Sequence, residues 1–193
     1  MKFFSKEEIL VLSAILLVLI IVSVPNFIVS VRRSRDAQRK NDIGVLADGL
    51  GNFANNFGSY PLSSPDGKIL ACNPKISYVA KIVKVDFDPC EWGKDDLRDA
   101  LDTSYPPYIT ALPFDPKHNE GVSYLYLSNG KRFQIFAHLE GTDEAEYDPK
   151  IAARNLLCGN KVCNFGRAPG ATPLNKSIEE YENELLDKTP TLP

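Results

Sequence analysis

The chain has 193 residues, 44% of them hydrophobic and 24% charged, with a formal net charge of −3. That make-up excludes a disordered chain, which would be poorer in apolar residues. The charge is uneven: residues 1–41 carry a net +4 and the remainder a net −7. An acidic body lacks the basic face of a nucleic-acid binder, so nucleic acid is not expected among its partners.

The first element is read from "FFSKEEILVLSAILLVLIIVSVPNFIVSVRRSRDAQRK", residues 3–40. Residues 1–7 form a short basic leader region. From Ile9 to Val24 no residue is charged, and after Pro25-Asn26 the apolar character continues to Val31. At about 1.5 Å per residue the stretch 8–31 is long enough to cross roughly 30 Å of hydrocarbon. A cleavable secretory signal would have a shorter core and an A-x-A-like exit, which is not found here. The segment is therefore expected to be retained as a single membrane pass. Behind it stand Arg32, Arg33, Arg35, Arg39 and Lys40, and positive-inside counting alone would keep that side in the cytoplasm. A carboxylate at the entrance of such a helix costs a few kcal/mol, about 2.5–3.5 at the helix centre, unless it reaches water or a partner. This makes Glu7 and Glu8 worth following.

Past the basic cluster, Ile43, Leu46, Leu50, Phe53 and Phe57 recur at steps of three and four, one apolar stripe on a helix over 32–58. Gly58 and Pro61 end it. One rod from Glu8 to Phe57 would measure roughly 75 Å, bent at Pro25. Gly44, Gly49 and Gly51 weaken the second half by about 1 kcal/mol each, so it requires tertiary packing.

Residues 59–170 read as a β-rich globular domain. "ISYVAKIVKVDF" (76–87) is β-rich but irregular and reads as either another strand or a long loop, and "KDDLRDALD" (94–102) predicts a short helix. In 122–139 two alternating runs flank Asn129-Gly130, a hairpin with a type I′ turn. The tail 171–193 contains a short helix capped by Ser177, among the prolines at 173, 190 and 193. The fold class is thus α+β, a long helix packed on a small antiparallel sheet.

Cys72, Cys90, Cys158 and Cys163 allow three pairings. Cys72–Cys90, closing the insertion, with Cys158–Cys163, closing "CGNKVC", is the economical choice, and a zinc site would want tighter pairs separated by two residues. Disulfides place the domain in an oxidising compartment. That outweighs the positive-inside count, since long domains translocate largely regardless of charge. No G-x-S-x-G, H-E-x-x-H or P-loop occurs, and His118 and His138 read as surface or packed residues. An enzyme is not expected.

Phe4, Glu8 four residues on, an unbroken aliphatic run and Pro25 together resemble a type IV pilin or type II secretion pseudopilin. "RDAQRKNDIGVLADGLGNFANNFGSYP" is similar to that family's exit from the membrane, and "ALPFDPKHNEGVSYLYLSNGKRFQIFAHLE" to its Leu-Pro-x-Asp-Pro turn and tyrosine-rich hairpin. The resemblance covers residues 4–61 and 112–139. It implies a structural subunit of a pilus-like or pseudopilus filament, assembled through Phe4, Glu8 and Pro25, with Glu8 meeting a neighbour's N-terminal amine. The implied partners are further copies, the cytoplasmic membrane and the pilus assembly machinery. The domain would lie outside the cytoplasm and become extracellular on assembly. The family's prepilin peptidase cuts after a glycine, whereas Phe3 stands at that position. No cofactor is implied beyond calcium in a C-terminal loop, for which Asp143, Glu144, Glu146 and Asp148 are the candidate ligands. The alternative is a signal-anchored extracytoplasmic binding or enzymatic domain that does not polymerise.

Overall fold

The computed structural model describes residues 5–79, 82–99, 102 and 104–188. Phe3, Phe4, Pro190 and Pro193 lie outside the described residues. Helix α1 runs unbroken from Lys6 to Phe57, 52 residues or roughly 78 Å. It passes through Pro25, and it stops where Gly58 takes a left-handed φ of 75° and donates its N–H to the Ala54 carbonyl at 2.8 Å.

Among the described residues there are eight strands, from two to eleven residues long. β1 (Leu62–Ser63), β2 (Ile69–Val79) and β3 (Ile82–Pro89) form one antiparallel sheet in that order. β4 (Leu125–Ser128), β5 (Phe133–Ala137) and β8 (Phe165–Arg167) form a second, and β6 (Leu157–Cys158) and β7 (Lys161–Val162) pair alone. Two helices complete the fold, α2 (Pro149–Ala152) and α3 (Ile178–Lys188). The result is mixed helix and sheet, α+β as expected.

β5 is the centre. Phe133, Ile135 and Ala137 join the core with Ile43, Leu46 and Leu50 of α1. Phe136, on the opposite face, packs with Ile151, Cys158 and Cys163. Every residue of β5 is buried, so its outward positions are not the half-solvated face that alternation predicts. The C-terminal segments cover them, with Gln134 Nε2 donating to the Pro173 and Lys176 carbonyls.

The stripe on α1 is buried where the sheet lies. Ile43, Leu46 and Leu50 are fully buried, each gaining about 1.5–3 kcal/mol. Phe53 is only partly buried and Phe57 stays exposed, the two rings stacking at 4.3 Å, so the stripe outruns its cover. Gly49 is a packing requirement: a Cβ there would run into the Ile109 side chain. Gly51 faces open space.

Two expectations need correction, the helix over 94–102 and the type I′ turn. Residues 94–102 are not helical where described. Leu97 instead exchanges backbone hydrogen bonds with Ile109 (2.9 and 3.1 Å) and is fully buried. A nine-residue helix is marginal alone, and this tertiary pairing prevails over it. The described part of the 76–87 run is strand, the end of β2 and most of β3, which pair antiparallel with register shifts around Cys72. Between β4 and β5, Ser128 pairs with Phe133. Gly130 has φ 86° whereas Asn129 is not at positive φ, so type I′ does not form. The Asn129 side chain accepts from the Lys131 and Arg132 N–H groups instead, and glycine's positive φ falls where a type II′ turn places it.

Both expected disulfides are present: Cys72–Cys90 (S–S 2.00 Å) at the base of the β2–β3 hairpin and Cys158–Cys163 (2.08 Å). Ser177 accepts from the Glu180 N–H ahead of α3, as read from the sequence.

Candidate functional site

The two halves of α1 have opposite surroundings. Between Ile9 and Val29 the large apolar side chains are 40–71% exposed and meet no other element of the described fold. The helix is long and apolar enough to cross a membrane, by length and composition, a test that a signal sequence near an N-terminus also passes. Two of its polar side chains turn back onto the backbone. Ser13 Oγ donates to the Ile9 carbonyl (2.8 Å) and Asn26 Nδ2 to the Val22 carbonyl (3.0 Å), as hydroxyls and amides do in helices.

Glu8 has a partner within its own chain. Its Oε2 accepts from the Ser5 N–H at 2.7 Å, and Ser5 Oγ accepts from the Glu8 N–H at 3.3 Å. This reciprocal pair satisfies two N–H groups that a helix start otherwise leaves unpaired. The signature Ser-x-x-Glu stands in the sequence at residues 5–8, and reading Glu8 as a membrane-edge carboxylate and as an assembly residue missed it.

Where α1 meets the domain, a collar of charge surrounds it. Arg39 is fully buried. Its Nε and Nη2 donate to the two carboxylate oxygens of Asp115 (2.7 and 2.9 Å), and its Nη1 to Asp36 and Glu140 (both 2.8 Å). Arg35 clasps Glu140 in a fork of 2.7 and 2.6 Å. Asp36, also fully buried, accepts from the backbone N–H groups of Glu140 and Gly141, both at 2.9 Å. Planar guanidinium forks on carboxylates are the strong form of such pairing.

The titrations follow from these contacts. Burial works against the Arg39 charge, but the hydrogen bonds it donates to Asp115, Glu140 and Asp36 outweigh it and raise the pKa above the ordinary arginine value. Glu140 is pulled down to about 2, chiefly by its hydrogen bond with Arg35. Deeper in, burial pushes the Asp42 carboxyl up, opposed by the hydrogen bond it accepts from Tyr124 Oη at 2.6 Å. Burial, with the same bond, raises the Tyr124 hydroxyl.

All but the last acid of the loop 140–148 pair with the same helix. Asp143 meets Arg32 at 2.6 Å and Arg33 at 3.7 Å. Glu144 and Glu146 receive Lys40 Nζ at 2.9 and 3.0 Å, and Asp148 accepts from the Lys150 N–H at the start of α2. The four candidate calcium ligands thus point to cations or backbone. Among the described residues no three His, Cys, Asp or Glu side chains gather as a metal site. His118 Nδ1 lies 3.2 Å from the Asp115 carbonyl and His138 Nδ1 2.7 Å from that of Val162.

Of the three expected assembly residues, Phe4 lies outside the described residues, while Glu8 and Pro25 lie on one helix some 17 residues apart without touching. The collar was missed altogether. Its signal was present, because Asp36 and Arg39 extend the buried stripe of Ile43, Leu46 and Leu50 backward at the same steps of three and four. Comparison with family models, with curated proteins and with solved structures finds no match, so the geometry has to support the functional reading.

Proposed function

We propose that this chain is a structural subunit of a type IV pilus-like or pseudopilus filament, held in the cytoplasmic membrane by residues 8–31 with its disulfide-bearing domain outside the cytoplasm. The supporting observation is a single helix, one half exposed and predominantly apolar, the other half the spine of its own domain. In the membrane, lipid covers the apolar half. In a filament, the same halves of other copies would cover it, exchanging one apolar neighbour for another. The two disulfides favour the outer side of the membrane, where thiols oxidise. The basic cluster weighs less in the orientation than its count suggests, since Arg32, Arg35, Arg39 and Lys40 all have carboxylate partners in the fold.

In this reading Glu8 exchanges its Ser5 contact for a neighbour's cation, because a carboxylate in a dry bundle requires a counter-charge. A second reading has a specific observation behind it. The capping box already satisfies Glu8, as in a signal-anchored binding or enzymatic domain that never polymerises. Glu8→Gln separates the two, since glutamine keeps the box but removes the charge. Filament incorporation, scored by electron microscopy of sheared surface material, should be lost with Glu8→Gln and Glu8→Leu while membrane insertion persists. Normal incorporation of both variants would refute a charge role for Glu8.

A further inference from the structure

We infer that strand β3 is an interface for a second copy of this chain, the two β3 edges pairing antiparallel about Val85. The inference goes beyond the filament reading and does not depend on it. β3 is the outer strand of its sheet: β2 pairs with one side, and among the described residues no strand pairs with the other. Val79–Ile82 is the outermost pair of the β2–β3 hairpin, so alternation makes Ser77–Lys84 and Lys75–Asp86 hydrogen-bonded pairs. The N–H and C=O groups of Val83 and Val85 are then directed away from β2. No other backbone group among the described residues bonds to them. Such an edge is a template for a further strand.

The charges say which strand fits. Lys84 and Asp86 are exposed and flank Val85, their charged atoms 3.0 Å apart along the strand. A lone edge lysine repels a second copy, whereas here the acid two residues on complements it. With Val85 opposite Val85, each Lys84 faces the other copy's Asp86 in the closely spaced, non-hydrogen-bonded positions. The neighbouring registers that keep the ladder in phase do the reverse. One sets Lys84 against Lys84 and the other sets Asp86 against Asp86, so repulsion excludes both. The strand is therefore complementary to itself in a single antiparallel alignment, as a two-fold contact requires.

The opposite face of the same strands is apolar and open. Val85 stands across from Ile76, which is 56% exposed. With Phe53, Phe57, Leu62 and Phe87, Val85 also lines an open cavity of about 480 Å³. Pairing would join the two sheets in the order β1-β2-β3-β3-β2-β1. On the apolar face the side chains would then form a row, Ile76-Val85-Val85-Ile76, beside the two cavities. The alignment that matches the charges on one face is thus the one that continues apolar surface on the other.

The test uses the full chain in detergent, with dimerisation measured by sedimentation over a range of concentrations. Lys84→Asp and Asp86→Lys should each weaken the dimer about tenfold or more, because two attractive cross-strand contacts become repulsive. Mixing these two variants should restore pairing, since one then carries two acids at the edge and the other two lysines. The double variant Lys84→Asp/Asp86→Lys should regain the wild-type Kd. Both positions are exposed, so thermal melts of the variants should stay close to wild type. A wild-type monomer at every concentration would overturn the proposal. So would equal Kd values in all four proteins, the result expected of a contact through α1, or single variants that stay apart on mixing.

Discussion

The first and second halves of α1 share one backbone geometry and differ in everything that acts on it. Residues 9–30 are uncharged and mostly apolar, with Ser13, Ser23, Asn26 and Ser30 among them, and every one is exposed. Residues 32–57 bury one face, polar at its start (Asp36, Arg39) and apolar beyond it (Ile43, Leu46, Leu50). The first half therefore depends on its solvent and the second on its partners. The collar between them belongs to the second kind: a guanidinium with no water around it, held by carboxylates from two distant loops.

The comparison breaks most severely at Arg39. Arg39→Met would leave Asp36, Asp115 and Glu140 facing one another without their shared cation, and loss of one partner from a buried ion pair costs about 3–5 kcal/mol. Thermal unfolding of the domain should shift down steeply, while the same change at Arg33, 63% exposed, should leave it within about 0.5 kcal/mol.

Acid acts on the same collar. The folded pKa of Glu140, about 2, lies below its ordinary 4.5, so its stabilising contribution is complete above pH 4.5 and is lost as pH falls toward 2. Denaturant melts between pH 6 and 2.5 should show that loss, and Glu140→Gln should flatten the profile in this window. At Gly49, alanine would collide with Ile109 and should destabilise by about 1–3 kcal/mol. Gly51→Ala, with nothing within 4 Å, should stabilise by about 1 kcal/mol. Chemical denaturation of the pair separates a glycine needed for packing from one that is dispensable.

What was legible in the sequence was local. The periodicity of 43–57, the Gly58 stop, the hairpin positions and the economical disulfide pairing all depend on short spacings. The Ser5–Glu8 box was equally local and was overlooked because the membrane setting drew attention to charge. Arg39 was read as one of a juxtamembrane cluster. Its burial depends on Asp115 and Glu140, 76 and 101 residues away, a distance over which no periodicity carries. The 94–102 helix failed for the same reason, because Leu97 is placed by Ile109 rather than by its neighbours. The strand β8 beside β5 gave three residues of signal, too few to read.

The most direct test of the account is mass spectrometry of the protein recovered from sheared surface material. Peptides spanning residues 9–31 in the recovered polymer are the predicted result, with Glu8 still attached to the chain. A released, monomeric domain beginning after residue 31 would contradict it, because the greasy half would then have served only for export.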